Sequence, residues 1–435
     1  MNISTQSLQS ALEPLVGDWV RPAGDADMIV GVQPQVVVEP GNEEEVAAVL
    51  TFAGKEGLHV LVRGGGTQLG LGFAPTGGDI LLSTAHLNRI VEHVPHDLVV
   101  TAQAGLPLAT LQATLAQSNQ CLALDPDLPP AATIGGIVAT NASGPRRLRY
   151  GGVRDQIIGV RVVLADGTIA KGGGKVVKNV AGYDLPKLLT GALGTLGIIV
   201  SATFRLYPLP IASLTVQLTA SSLTPLCDLA VRIIGSTLVP TIVDVLGDTA
   251  QENAYTMAVR FEMGQEAVEV QAATLLAMAA EMGEAAIQEA PILKGDEESQ
   301  FWAQAGHATS FTNDSHTMLT LKASLLPSKV AHWLTRLEQV CQQQQMHATW
   351  RAHAGHGLVL VNLTGDATTL VTTTHELRQA AMEHQGSMVI TEASLELMPR
   401  IDVWGPVPAL DVMRNLKARF DPHNMLNPGR FVGGL

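Results

Sequence analysis

Cysteine is scarce in this chain: Cys121, Cys227 and Cys341 are the only three, and they lie far apart. With no CxxC pair and no Cys/His cluster, the chain has no ligand set for an iron–sulfur or zinc-finger site. The three thiols read as buried, inert groups of a reducing compartment. Positive charge is in short supply as well. Lys and Arg total 27 against 40 Asp and Glu, a formal net charge of −13. That balance argues against general nucleic-acid binding, because phosphate contacts rest on clustered cations. A local basic pocket for a phosphorylated cofactor stays open. No uninterrupted apolar stretch reaches the ~18 residues that span a bilayer, so no transmembrane segment is expected. The opening MNISTQSLQSALEPL lacks the basic start and continuous apolar centre of a signal peptide. The expected location is the cytoplasm, with docking at the inner membrane through partners left open.

What the chain has is apolar mass and glycine. Apolar residues make up 46% of its 435 residues and charged ones 15%, which is too hydrophobic for disorder and too long for one core. Residues 5–16 read as a short amphipathic helix within a lead-in, 1–33. The strand Val36-Val37-Val38 runs into Asn42, a plausible N-cap, with Glu43, Glu44 and Glu45 suiting the first turn of a helix that ends near Gly57. Another strand follows at residues 59–62. From about residue 133 to 206 the chain is dense in glycine, with short β-branched strands, and Pro208 and Pro210 mark a boundary. Beyond it the order strand, helix, strand, strand, helix occurs twice, with a further strand, 388–391, closing the second pass. The two βαββαβ-like passes predict helices on one face of an antiparallel sheet.

Three runs carry chemistry. Arg63-Gly64-Gly65-Gly66-Thr67-Gln68 follows a strand. Its glycines let successive N–H groups converge on an anion such as a diphosphate, although a plain glycine turn fits equally well. It matches neither the Rossmann fingerprint nor a P-loop. The second run extends from Asp125 and Pro126 through Thr133-Ile134-Gly135-Gly136 to Asn141, Ser143 and Gly144, then Arg149-Tyr150-Gly151. Small residues there allow a flat ligand to lie against main chain. The third is Lys178-Asn179-Val180-Ala181-Gly182-Tyr183-Asp184-Leu185, followed by a glycine-rich stretch reaching Ile199. A separate run, Gly172-Gly173-Gly174-Lys175, reads as a hairpin turn.

In combination these runs resemble the FAD-binding domain of the vanillyl-alcohol-oxidase superfamily, in its branch of FAD-linked D-lactate and glycolate dehydrogenases. The ending, with Asn427-Pro428-Gly429-Arg430, is similar more narrowly to the E-type FAD-binding subunits of bacterial glycolate oxidase. The resemblance implies an α+β protein: a PCMH-type FAD-binding domain of two α+β subdomains over 34–209 and a cap domain with ferredoxin-like passes over 210–401. A tail, 402–435, would return to the FAD domain. It implies that Arg63, Gly64, Gly65, Gly66, Thr67, Gln68, Thr133, Ile134, Gly135 and Gly136 hold the FAD pyrophosphate, with Pro126, Asn141, Ser143, Gly144 and Ile199 around the rest of the cofactor. Arg430 is a candidate cation for the flavin N1/O2 edge. Some members tether FAD through a His in the first loop; Thr67 stands there, so FAD should be non-covalent.

The departure lies in the cap. Relatives that act on 2-hydroxy acids carry H-x-G-D-G-N-x-H and a later E-H-G, which bind a divalent metal and the substrate. Here the run is His353-Ala354-Gly355-His356-Gly357-Leu358-Val359-Leu360, and Glu392-Ala393-Ser394 stands for the second motif. Most metal ligands are replaced, so no metal is expected. His353 is a weak candidate base, with a structural role as the blander reading. The resemblance implies a subunit of a glycolate dehydrogenase working with a catalytic FAD subunit and an iron–sulfur subunit. The alternatives are a self-contained D-2-hydroxy-acid dehydrogenase and a non-catalytic assembly subunit.

Overall fold

The computed structural model describes residues 4–175, 182–251, 254–283, 286–307 and 318–435. Lys178 to Ala181 of the third motif lie outside them. The chain forms two compact units, one of Met1–Ser143, Gly152–Leu209 and Pro406–Leu435, the other of Gly144–Gly151 and Pro210–Gly405.

In the first unit, α1 (Thr5–Val16) buries Leu8, Leu12 and Val16, spaced to share one face, beside β1 (Val20–Pro22), β2 (Val36–Val38) and α2 (Glu43–Glu56). Asn42 starts α2: its Oδ1 accepts the Glu45 N–H at 2.9 Å, a cap worth ~1 kcal/mol. The helix stops at Gly57, whose φ of 67° is left-handed. With β3 (Val60–Arg63) and β4 (Ile80–Ser83) the strands form a four-stranded sheet in the order β1-β2-β4-β3. The pairs β2–β4 and β3–β4 are parallel, which suits their nearly unbroken apolar runs.

A five-stranded antiparallel sheet follows, in the order β5-β6-β10-β8-β9. Its strands are β5 (Ile90–Val94), β6 (Val99–Gln103), β8 (Ile157–Val163), β9 (Ile169–Gly173) and β10 (Ile198–Arg205). A two-stranded pair is made by β7 (Gln120–Cys121) and β11 (Tyr207–Pro208). Around these sheets lie α3 (Leu108–Ala116), α4 (Ile134–Thr140), α6 (Val153–Gln156) and α7 (Leu185–Leu189). The hairpin expected at residues 172–175 is corrected here. Gly172 and Gly173 end strand β9, paired with Val160 and Gly159. Packing explains the glycines: a Cβ on Gly172 would lie 2.5 Å from the Cβ of Leu185, and Gly173 has a φ of +71°.

The second unit takes in α5 (Arg147–Tyr150) and then two passes of one order. The first runs β12 (Ala212–Ala220), α8 (Leu223–Ile234), β13 (Ile242–Asp248), β14 (Tyr255–Met263), α9 (Gln265–Ala280) and β15 (Gln288–Leu293). After α10 (Gly295–His307) come β16 (Met318–Ser324), α11 (Val330–Gln344), β17 (His347–His353), β18 (Leu358–Thr364), α12 (Ala367–Glu383) and β19 (Ser387–Ala393). All eight strands share one sheet, ordered β15-β12-β14-β13-β17-β18-β16-β19. Each pass is ferredoxin-like, and the passes join through their second strands, β13 and β17. Residues 402–405 stay with this unit: Arg378 Nη2 donates to the Asp402 carbonyl at 2.5 Å. The helix α13 (Leu410–Phe420) and the chain end belong to the first unit.

Candidate functional site

The first unit contains an open cleft of about 860 Å³, counted with its solvent. Its wall is built by turns that leave strand ends: residues 64–69 after β3, Thr84 after β4, Ala104 after β6, the first turns of α4, and residues 193–199 entering β10. Asn427 and Arg430 from the tail complete it. Three segments distant in sequence, the R-G-G-G-T run, the TIGG run and the N-P-G-R run, therefore meet in one place.

Close backbone approach dictates the glycines. A Cβ on Gly65 would fall 1.8 Å from the Ala131 carbonyl oxygen, and Gly66 has a φ of +73°, which favours glycine. Thr133 ties the two runs together: its Oγ1 accepts the Gly65 and Gly136 N–H groups, each at 3.4 Å. Asn427 ties in the tail. Its Oδ1 accepts the Val62 N–H at 3.0 Å and its Nδ2 donates to the Leu193 carbonyl at 2.5 Å. Arg430 is the one charged side chain on the wall among the described residues. It donates from Nη2 to the carbonyls of Leu69 and Leu71 at 2.7 and 2.5 Å. Burial pushes this guanidinium down to about 10, which leaves it charged at neutral pH.

Gly64, Gly65, Gly66, Thr67, Gln68, Thr133, Gly135, Gly136, Ile199 and Arg430 thus line one cleft. Arg63 turns away to meet Asp27, its Nη2 at 2.9 Å from Oδ1. Ile134 is fully buried in the core. Pro126, Asn141 and Ser143 lie off the wall, and Gly144 belongs to the second unit. Among the described residues the buried Ser143 Oγ has no hydrogen-bond partner. Sequence reasoning missed Ile29, Thr84 and Ala104, which carry no motif, and Asn427, which sat unremarked in the N-P-G-R run. A glycine-lined cleft with one cation and no carboxylate on its wall suits an anionic cofactor carrying a flat ring.

In the second unit, the sheet face bearing His353 holds a buried polar cluster. Asp244 on β13 accepts from Arg351 Nε at 2.7 Å with one oxygen and meets His353 Nδ1 at 2.9 Å with the other. All three side chains are at most 2% exposed. Burial would raise the Asp244 carboxyl, but the charges of His353 and Arg351 outweigh it and hold the group below its ordinary value. His353 and His356 lie with ring centroids 5.3 Å apart, and among the described residues both buried Nε2 atoms have no hydrogen-bond partner. Burial first, and His353 second, push His356 down to about 4, so it is neutral at pH 7. In the ladder Leu358 stands opposite His353, and Leu360 lies between Arg351 and Lys322. Burial lowers the Lys322 ammonium, and Arg147 adds to the effect. Burial also raises Glu392, which pairs in the ladder with Thr320. Among the described residues no three His, Cys, Asp or Glu side chains are grouped to hold a metal ion, and no helix is long and apolar enough to cross a membrane.

A parallel-stranded subdomain, an antiparallel one and a glycine cleft, joined to a double ferredoxin-like sheet, define a PCMH-type flavoprotein with a cap. A solved alkyldihydroxyacetonephosphate synthase shares this fold, with a TM-score of 0.73 at 17% identity over 92% of this chain and 78% of that one. Residues 34–173 match the FAD binding domain family, and residues 214–390 with 404–431 match the C-terminal domain of FAD linked oxidases. The chain belongs to the FAD-linked oxidases, and its cofactor is FAD. It is 28% identical to the glycolate oxidase subunit GlcD of Bacillus subtilis, over 91% of this chain and 88% of that protein. It is likewise 28% identical to a D-2-hydroxyglutarate dehydrogenase of Xanthomonas citri pv. viticola, over 91% of this chain and 89% of that protein. For a D-lactate dehydrogenase of Archaeoglobus fulgidus the identity is again 28%, over 92% of both chains.

Proposed function

We propose that this chain is the E-type FAD-binding component of a multi-subunit glycolate dehydrogenase. The assembly oxidises glycolate to glyoxylate and hands the electrons to an iron–sulfur subunit, beside a second, catalytic FAD subunit. One observation carries the reading. Leu358 stands opposite His353 in the ladder and Leu360 opposite Arg351, while Asp244 holds the imidazole Nδ1. Oxidising a hydroxy acid needs a base for the hydroxyl and a positive centre for the carboxylate, and leucine supplies neither. The wall residues 64–68, Thr133, Gly135 and Gly136 would hold the diphosphate, Ile199 would face the ring system, and Arg430 would supply positive charge. Bound FAD supplies a two-electron acceptor that can pass electrons on singly. With only three dispersed cysteines, a cluster must come from a partner. The complex works in the cytoplasm.

A second reading, a self-contained D-2-hydroxy-acid dehydrogenase, is favoured by the Asp244–His353 contact. An aspartate on Nδ1 leaves the Nε2 lone pair as a base. Co-purification with neighbouring gene products, with FAD and iron quantified, separates the two. Co-elution of an iron-bearing partner with FAD supports the multi-subunit reading. A chain that elutes alone and reduces its own flavin with glycolate or D-lactate supports the second.

A further inference from the structure

The segment ahead of β2 does more than lead into the sheet. Asp27 is 3% exposed and sits in a short turn, Asp25–Asp27. Four donors converge on its carboxylate: Arg21 Nη1 at 2.6 Å and Nη2 at 2.9 Å, the Gly24 N–H at 2.9 Å, and Arg63 Nη2 at 2.9 Å. Arg21 is half exposed, whereas the Arg63 side chain is 17% exposed. Arg63 is the last residue of β3 and the residue from which the cleft loop departs. Its stem runs behind that loop, because a Cβ on Gly66 would lie 3.8 Å from Arg63 Cδ. Two residues beyond Asp27, Ile29 contributes to the cleft wall and is buried with Leu61 and Leu81, Leu69 of the loop packing against them. Residues 21–27 also precede the span, 34–173, that matches the FAD binding domain family.

The geometry points to Asp27 as a positioning residue for the cofactor loop. Through Arg63 it clamps residues 64–68 in the shape that receives the FAD diphosphate, with Arg21 as the outer, dispensable arm. The inference rests on the reading that this loop takes the diphosphate. A glycine-rich loop has many shapes of similar energy, and a ligand bound by its N–H groups must fix one of them. A charge-paired arginine against the back of the loop does the fixing in advance. Two guanidiniums on one carboxylate also leave one net positive charge behind the loop, favourable to an anion in front of it.

The test uses the full-length apo chain, with FAD and separately ADP as titrants, at a temperature where every variant is folded by circular dichroism. Asp27→Asn is expected to weaken FAD and ADP alike by about tenfold or more. Arg63→Ala is expected to do the same, and the double variant to be no worse than Arg63→Ala, because Asp27 acts through Arg63. Arg21→Ala should stay within about threefold of the parent, since the inner pair survives. Asp27→Asn that lowers the melting temperature but leaves both affinities unchanged would overturn the clamp and leave a structural salt bridge. Additive losses in the double variant would overturn it too. If Arg63→Ala and Gly136→Val both leave FAD affinity intact, the placement of the diphosphate itself is wrong. Those outcomes are separate.

Discussion

The adjacent glycines of the TIGG run have different tasks, and this can be measured. Both belong to the first turn of α4 and both line the cleft. A Cβ on Gly135, however, would lie 2.7 Å from Ala104 Cβ and 3.0 Å from the Ala104 carbonyl oxygen. That contact is inside the protein, and Gly135 N–H already donates to the same carbonyl at 2.7 Å. A Cβ on Gly136 meets only Thr133 Oγ1, at 3.3 Å, so larger groups there project into the open cleft. Gly135→Ala is therefore an overpacking change, costing ~1–3 kcal/mol. At ~2–4 °C per kcal/mol for a domain of this size, the apo melting temperature should fall by roughly 2–12 °C. Gly136→Val asks only the Thr133 hydroxyl to yield by a few tenths of an ångström, and valine is a slightly better helix residue than glycine by a few tenths of a kcal/mol. Its apo stability should stay within ~1 kcal/mol of the parent.

Cofactor affinity should behave the opposite way. Gly136→Val places two methyl groups where the diphosphate approaches, and FAD affinity should drop at least about tenfold, or ~1.4 kcal/mol. Gly135→Ala should affect FAD mainly through stability. The assay pairs thermal melts of apo protein with titration of FAD followed by flavin fluorescence. Gly136→Val that retains full FAD occupancy at parental affinity would refute the assignment of this turn to the diphosphate. Gly135→Ala with an unchanged melting temperature would refute the packing argument.

Three further outcomes are expected. Acid denaturation should release all flavin to the supernatant, since Thr67 on the cleft wall offers no tethering nitrogen; yellow colour kept in the pellet contradicts this. The isolated, FAD-loaded chain mixed anaerobically with excess glycolate or D-lactate should bleach slowly or not at all, because losing even one good electrostatic stabiliser costs roughly 10²–10³ in rate; rapid, complete bleaching promotes the self-contained dehydrogenase. His356, pushed from 6.5 to about 4 by burial, takes its proton later in the folded chain than in the unfolded one. Its contribution is therefore complete above pH 6.5 and is lost as pH falls to about 4, roughly 3 kcal/mol in all. Denaturant melts at about pH 7 and about pH 4.5 should show a smaller acid loss in His356→Gln than in the parent, and equal losses contradict it.

Elements whose cause is local were legible in the sequence. Asn42 with its three glutamates marks the start of α2, and apolar periodicity marks α8, which the structure places at Leu223–Ile234. The order of both βαββαβ passes could be read because each strand and helix buries an apolar face of its own. What escaped was held by polar burial between distant residues. Helix α10 has an acidic first turn and little apolar character, and its anchor is Glu298, which accepts from Ser213 and Thr215 at 2.9 and 2.7 Å. Trp302 Nε1 adds a bond to Thr215 Oγ1 at 2.9 Å. Such a contact has no periodicity to read. The glycine run at 172–173 was misread for a related reason, since glycine marks close packing as well as turns. The first-loop glycines could be recognised, while Asp27 behind them could not, because nothing in its own neighbourhood announces a partner in β3.

The double sheet explains why the cap can change its chemistry without changing its fold. The two ferredoxin-like passes join where β13 meets β17, with Val245 opposite Ala352 and Leu246 opposite Arg351. Asp244 comes from one side of that seam, and Arg351 and His353 come from the other. The cluster therefore exists only because the passes are joined in this register, and a one-residue slip would turn its members to the opposite face. Backbone pairing, by contrast, is indifferent to which side chains occupy Leu358 and Leu360. Leucine in place of an amide or an imidazole keeps the ladder, buries apolar surface and removes only ligands. A chain with leucine at both positions keeps its sheet, so the fold sets no barrier to a change of side-chain chemistry on this face.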